Sequence, residues 1–153
     1  MSTRILTVGV LAALTAAVGV GSSTGSTLST STFHGVVVAS LTAKAEVVKG
    51  SPKASGTVRV TLNVPADEAC WRLSVKGVAS NDKLLSAYVH KGLPGKTGTA
   101  IIPLGSKFST KGCVSGVPRK LLRAVGTNPR AYYVNVYTKK YVHGAIRGQL
   151  RAG

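Results

Sequence analysis

The run Tyr132-Tyr133-Val134-Asn135-Val136-Tyr137-Thr138, followed after five residues by Gly144-Ala145-Ile146-Arg147-Gly148-Gln149-Leu150, decides the fold class of this chain. In an extended backbone Ile146 and Leu150 share one face, and Arg147 and Gln149 the other. Two such runs joined by a short polar connection read as a hairpin. The same period of two recurs upstream. From Gly56 to Val64, the residues Val58, Val60, Leu62 and Val64 alternate with Thr57, Arg59, Thr61 and Asn63, and Pro65 ends the run. Val36 to Thr42 is rich in β-branched residues. Trp71, Leu73 and Val75 alternate with Arg72, Ser74 and Lys76, with Trp71 as a core anchor. Leu85, Ala87 and Val89 form an apolar face, which places Tyr88 and His90 on the opposite one. Thr99 to Leu104 is a further short apolar run closed by Gly105.

One helix interrupts the strands. Pro118 suits a first helical position, Leu121, Leu122 and Val125 make a short apolar stripe, and Gly126 and Pro129 stop it. Arg119, Lys120 and Arg123 flank the stripe, but about two turns are too few to hold a membrane alone, so the helix is expected to pack on the sheet. Seven or more short strands separated by turns indicate an all-β domain, a β-sandwich or Greek-key barrel.

With 153 residues the chain has room for one domain whose core folds without a metal. Its first 21 residues have the pattern of a secretory signal: Arg4 as the lone charge, an apolar run from Ile5 to Val20, then small residues. That run is shorter than the roughly 20 apolar residues of a membrane span. Residues 22–32 are Gly, Ser and Thr apart from Leu28, which predicts a flexible linker. The domain is then expected at 33–153. Its last strand ends close to the C-terminus, which predicts no C-terminal sorting signal. Cys70 and Cys113 fit one disulfide in an exported protein, a bridge worth roughly 4 kcal/mol in the loop-entropy picture. A pair of free, buried thiols is the alternative.

Lys and Arg number 20 against four acids, Glu46, Asp67, Glu68 and Asp82, for a net charge of +16. Loss of the leader removes only Arg4. A positive field of this size favours an anionic cell-wall or extracellular polymer, or an acidic protein. The cations are scattered from Lys44 to Arg151, in runs no longer than Lys139-Lys140, which is not a sequence-specific nucleic-acid motif. Membrane attachment is expected only through an uncleaved leader.

The chemistry of an enzyme is hard to place on this sequence. Asp67 and Glu68 are adjacent and point oppositely in extended chain, so they cannot flank one bond. His34, His90 and His143 lack the spacing that prearranges a metal site. No Gly-x-Ser-x-Gly elbow occurs, and Gly95-Lys96-Thr97 lacks the upstream Gly of a phosphate loop. The reading is therefore no catalytic residue, no cofactor and no metal. A candidate binding patch remains. If Tyr88 and His90 share a strand face, a neighbouring strand brings Tyr133, Asn135 and Tyr137 alongside, and Arg147 and Gln149 join them from the last strand. Such a patch can stack and donate to anions; equally, its members can bond one another and hold the sheet together.

In this order and spacing the motifs resemble the CHRD domain, a secreted β-domain found in chordin and in many microbial proteins. The resemblance runs roughly from Val36 to Leu150. It rests most on Tyr133-Val134-Asn135-Val136-Tyr137-Thr138 with Gly144-Ala145-Ile146-Arg147-Gly148-Gln149-Leu150. Ala87-Tyr88-Val89-His90-Lys91-Gly92 echoes the family's central motif, and Ala43-Lys44-Ala45-Glu46-Val47 echoes an early Asn/Gln-Glu-Val-Pro. The resemblance implies an extracellular, immunoglobulin-like β-fold with no enzymatic activity established for the family in general. The cysteine placement looks like that of bacterial members. Where the family tends to write His-x-His and Val-His-Thr, this chain has Tyr88 and Tyr137, leaving His90 alone. Phenol is a poor Zn or Cu ligand because it must first lose a proton of pKa about 10. The expectation is a non-catalytic binding or structural module at the cell surface or in the medium. Two other readings are a metal-dependent (Cu/Zn) redox or hydrolytic protein using His90, His143 and His34, and a cationic protein acting on anionic membranes.

Overall fold

A computed structural model of the chain describes residues 34–153. The leader expected at 1–21 and the linker expected at 22–32 lie outside the described residues. Strands β1 (His34–Thr42), β2 (Ser55–Asn63), β3 (Glu68–Lys76), β4 (Leu84–Lys91), β5 (Thr99–Pro103) and β6 (Lys111–Ser115) precede one helix, α1 (Arg119–Thr127). Strands β7 (Tyr132–Thr138), β8 (Ile146–Gln149) and β9 (Arg151–Ala152) follow it. The domain is all-β with one short helix, as the period of two requires.

Every pairing is antiparallel, in the order β5-β4-β7-β8-β1-β2-β3-β6, with β9 also on β1. The joint between the two halves is narrow. β8 meets β1 only at Thr42 and Arg147, and after Leu150 the chain resumes as β9 opposite Val37 and Val38. On the other side the β5–β6 connection ties the halves together. The Phe108 amide donates to the Leu85 carbonyl at 2.8 Å, and the Leu73 amide to the Thr110 carbonyl at 2.7 Å. The sheet thereby becomes a nearly closed antiparallel barrel or flattened sandwich, with β5 and β6 as its two edge strands and these loop bonds between them.

Inside, Leu41, Leu62, Ile102, Leu104, Leu122 and Ile146 are fully buried. Trp71 anchors the core as expected, and its Nε1 donates to the Ser109 carbonyl at 3.1 Å. The alternation read from β2 is kept: Val58, Val60 and Leu62 face in, Thr57, Arg59 and Thr61 out. Helix α1 buries Leu122 and Val125 and leaves Arg119, Lys120 and Arg123 exposed. It runs through Gly126 to Thr127, and Pro129 opens a 3-10 turn instead of marking the stop.

Strand β6 carries no period in the sequence, and its origin is tertiary. Gly112 stands where a Cβ would lie 2.6 Å from the indole of Trp71, so the strand can cross the ring only with glycine there. Directly beside it Cys113 opposes Cys70 of β3, with Cα atoms 4.0 Å apart, and the two form the disulfide. The bridge closes a sequence separation of 43 residues on an edge strand of five. It fastens a strand that pairs on one side only, with β3.

Candidate functional site

The register of β4, β7 and β8 brings the predicted patch together. Tyr88 lies opposite Asn135, which lies opposite Arg147; His90 lies opposite Tyr133, which lies opposite Gln149; Ser86 lies opposite Tyr137. Directly opposed residues share a sheet face, so all of these side chains point away from the apolar core. They do not, however, form an open surface. His90, Asn135 and Arg147 are 6%, 4% and 2% exposed: the β4–β5 loop bonds His90 and Arg147 from above, and Gly144 lies against Asn135. Arg147 lies on the face away from the apolar core, as its alternation with Ile146 and Leu150 predicts, and is covered there.

The covered residues make a stack. The Arg147 guanidinium carbon sits 3.4 Å from the Tyr133 ring centroid, and Tyr133 stacks on His90 with centroids 4.8 Å apart and planes 12° from parallel. Each member also bonds the loop above. Arg147 donates from Nη1 to the Lys96 carbonyl at 2.8 Å and from Nη2 to the Leu93 carbonyl at 2.9 Å. The Gly98 amide donates to the Tyr133 hydroxyl at 3.0 Å. Gln149 donates from Nε2 to the Gly92 and Arg130 carbonyls at 2.8 and 2.7 Å. A loop rich in glycine has little apolar surface to hold it down, and the two charge-assisted bonds from Arg147, with the neutral ones from Gly98 and from Gln149 to Gly92, do so instead.

Proton placement follows from the acceptors. The His90 Nδ1 lies 3.0 Å from the Gly98 carbonyl, which can only accept, so Nδ1 carries the hydrogen. Nε2 therefore accepts, and the Tyr137 hydroxyl donates to it at 2.9 Å. Asn135 Nδ2 in turn donates to the Tyr137 oxygen at 3.4 Å. Burial first, and the Arg147 charge after it, holds the His90 pKa below its ordinary value despite the Gly98 bond, which keeps the ring neutral as this pattern needs. Tyr137 is pushed up to about 12 by burial, then by Tyr133 and Glu46. The rings of Tyr88, His90 and Tyr137 form a triangle with centroids 6.0 to 6.2 Å apart, so the family's three motif positions meet in space. At their outer edge, half-buried Tyr88 and Tyr137 reach a shallow depression of about 260 Å³ bordered by Leu85, Ser86, Ala100 and Val142.

One member of the cluster is absent from the patch read from the sequence. Glu46, just past the 3-10 turn that follows β1, reaches the same interior. Burial pushes its carboxyl up to about 7, against the pull of Arg147. Glycine at 144 permits the approach: φ is 128°, and a Cβ there would lie 2.6 Å from both Glu46 oxygens and from Asn135 Nδ2. Glu46 Oε1 and Asn135 Oδ1 are buried without a hydrogen-bond partner, and a proton on Glu46 supplies the kind of donor both lack. The signal available in the sequence was the early motif that ends in Glu46-Val47.

The other histidines stand elsewhere. His143 is exposed between β7 and β8, and His34 opens β1 opposite Asn63. Among the described residues, the one cluster of three His, Cys, Asp or Glu groups is Glu68, Cys70 and Cys113, and its two sulfurs are joined to each other. Of the other acids, Asp67 pairs with Arg119 at 2.6 Å, and Asp82 accepts from the Thr138 hydroxyl at 2.7 Å and the Lys140 amide at 3.0 Å.

These features define a small antiparallel β-domain whose polar cluster is bonded chiefly to its own loop. The family model of the CHRD domain matches residues 37–150, and the chain belongs to that family. No curated protein and no solved structure matches the chain.

Proposed function

We propose that this chain is an exported, non-catalytic CHRD-domain module that binds an anionic partner at the cell surface or in the medium. One observation carries the reading. The chain has only four acids, and three of them are engaged within the domain, Asp67 with Arg119, Asp82 with Thr138 and Lys140, and Glu46 beside Arg147. Most of the 20 cations therefore have no counter-charge in the chain, and a field of that sign concentrates polyanions. The disulfide and the family support export. An immunoglobulin-like, Greek-key layout belongs to the same reading, supported by the chain's passage from β3 to β4, β5 to β6 and β6 to β7 across the two halves.

The buried cluster supports binding without catalysis. Both nitrogens of His90 are engaged, and Tyr137, whose proton is held more tightly than in water, stands where a metal would need a ligand. Tyr88, His90, Asn135, Tyr137, Arg147 and Gln149 then act mainly by fixing the β4–β5 loop, with Tyr88 and Tyr137 presented at the edge. Retention of the protein on an immobilised acidic polymer tests the reading. Binding at low salt that is lost as salt rises is expected; binding indifferent to salt, or none at low salt, refutes it.

A further inference from the structure

We infer that the outer face of β9-β1-β2-β3-β6 is the binding site, and that it takes a linear anionic polysaccharide along one rung of cations. This rests on the preceding reading that the partner is anionic, and adds where and what. The register places Arg151 opposite Val38, Val38 opposite Arg59, Arg59 opposite Arg72, and Arg72 opposite Lys111. Opposed residues share a face, so four cations and one valine form a single line across five strands. With strands about 4.8 Å apart, the line is roughly 19 Å long. All four charged side chains are exposed, and among the described residues none has an acidic or hydrogen-bonding side-chain partner. Since every acid of the chain lies within those residues, no other part of the chain can neutralise them.

Like charges directly opposed across a sheet destabilise it. A fold that repeats the arrangement at two successive contacts, Arg59 to Arg72 and Arg72 to Lys111, gains when a polyanion lies along the line. The rung also crosses two shallow depressions of about 480 and 470 Å³, both bordered by Arg59, Arg72 and Lys111. Hydroxyls flank it, Thr57 and Thr61 beside Arg59 and Ser74 beside Arg72, placed to bond sugar hydroxyls. The arginine forks suit sulfate or carboxylate oxygens.

The same surface disfavours the other polyanions. Single-stranded nucleic acid needs aromatic platforms for its bases, and the one aromatic residue bordering these depressions, Trp71, turns its ring into the core. A membrane surface needs an apolar anchor, and the exposed large apolar residues Val47, Val48, Leu85, Leu93 and Val142 all lie off this face.

Titration of the protein with a defined sulfated heparin oligosaccharide, across a salt series, tests the inference. Arg59→Gln with Arg72→Gln should weaken binding about tenfold or more and reduce the slope of log affinity against log salt by roughly 2, one for each lost contact. Lys120→Gln with Arg123→Gln, which removes equal charge from exposed α1, should leave affinity within about twofold. Both pairs are exposed, and an unchanged melting transition shows that each variant is folded. Equal losses in the two double variants overturn the rung but leave a diffuse anionic reading standing. No binding by the parent protein at low salt overturns that broader reading as well. Oligothymidylate or anionic vesicles bound as tightly as the oligosaccharide overturn the choice of polysaccharide.

Discussion

Glu46 shows how one residue ties the loop after β1 to the face of β7 and β8. Its carboxyl titrates near 7 in the folded chain and near 4.5 when exposed, because burial disfavours the charged form. Between those values the folded state holds a proton that the unfolded state has released. Its contribution is therefore fully present below pH 4.5 and is lost as pH rises to about 7. His90 has the opposite sign: its lowered pKa gives stability present above its ordinary 6.5 and lost as pH falls. Glu46→Gln keeps the shape, supplies a permanent donor, and should raise stability above pH 7 by roughly 1 kcal/mol, the full shift being discounted for partial exposure. Urea unfolding at pH 5 and pH 8 measures this. An equal loss at both pH values would show instead that the carboxylate is stabilising. In the sequence Glu46 stood as an acid without a partner, because the residues that surround it, Asn135, Tyr137, Gly144 and Arg147, are about ninety or more positions away. Only the fold counts them as neighbours.

At the scale of elements, the site is a loop and the stack beneath it. Arg147 serves two carbonyls, Leu93 and Lys96, while its plane covers Tyr133. Lysine keeps the charge but has neither the fork nor the plane. Arg147→Lys should cost roughly 2 kcal/mol, the loss of a part-buried, charge-assisted bond. It should also free the β4–β5 loop, which limited trypsin digestion detects as cleavage after Lys96. Resistance equal to that of the parent protein would mean that the loop is held by other contacts. The strands β2 to β4 and β7 were legible because their two faces differ in polarity, and β1 because it is rich in β-branched residues. β6 was not, since Gly112 answers to a tryptophan 41 positions earlier and carries no alternation. The members of the polar patch were legible from parity; that they would be roofed over was not, since a loop's path over a face leaves no period.

The whole molecule is a strongly charged body around an apolar core, with 20 cations against four acids and a single ion pair among the described residues. Mutual repulsion of this kind weakens as salt shortens the screening length from about 30 Å at 0.01 M to about 8 Å at 0.15 M. The melting temperature should rise over that range of sodium chloride, by roughly 4 °C for each kcal/mol of repulsion relieved in a domain of this size. A fall would show that surface pairs outweigh the repulsion. The sequence by itself determined the all-β class, the hairpin of β7 and β8, the core parity of Trp71, Ile146 and Leu150, the excess of positive charge and the family, since each is written in the local order of polar and apolar side chains. The tertiary structure decided that Arg147 is buried beneath a loop, that Glu46 titrates in that interior, and that Arg151, Arg59, Arg72 and Lys111 fall into one line. The first two depend on the paths of loops, which leave no period in the sequence, and the third on strand register, which sets residues far apart in sequence side by side at a spacing of about 5 Å.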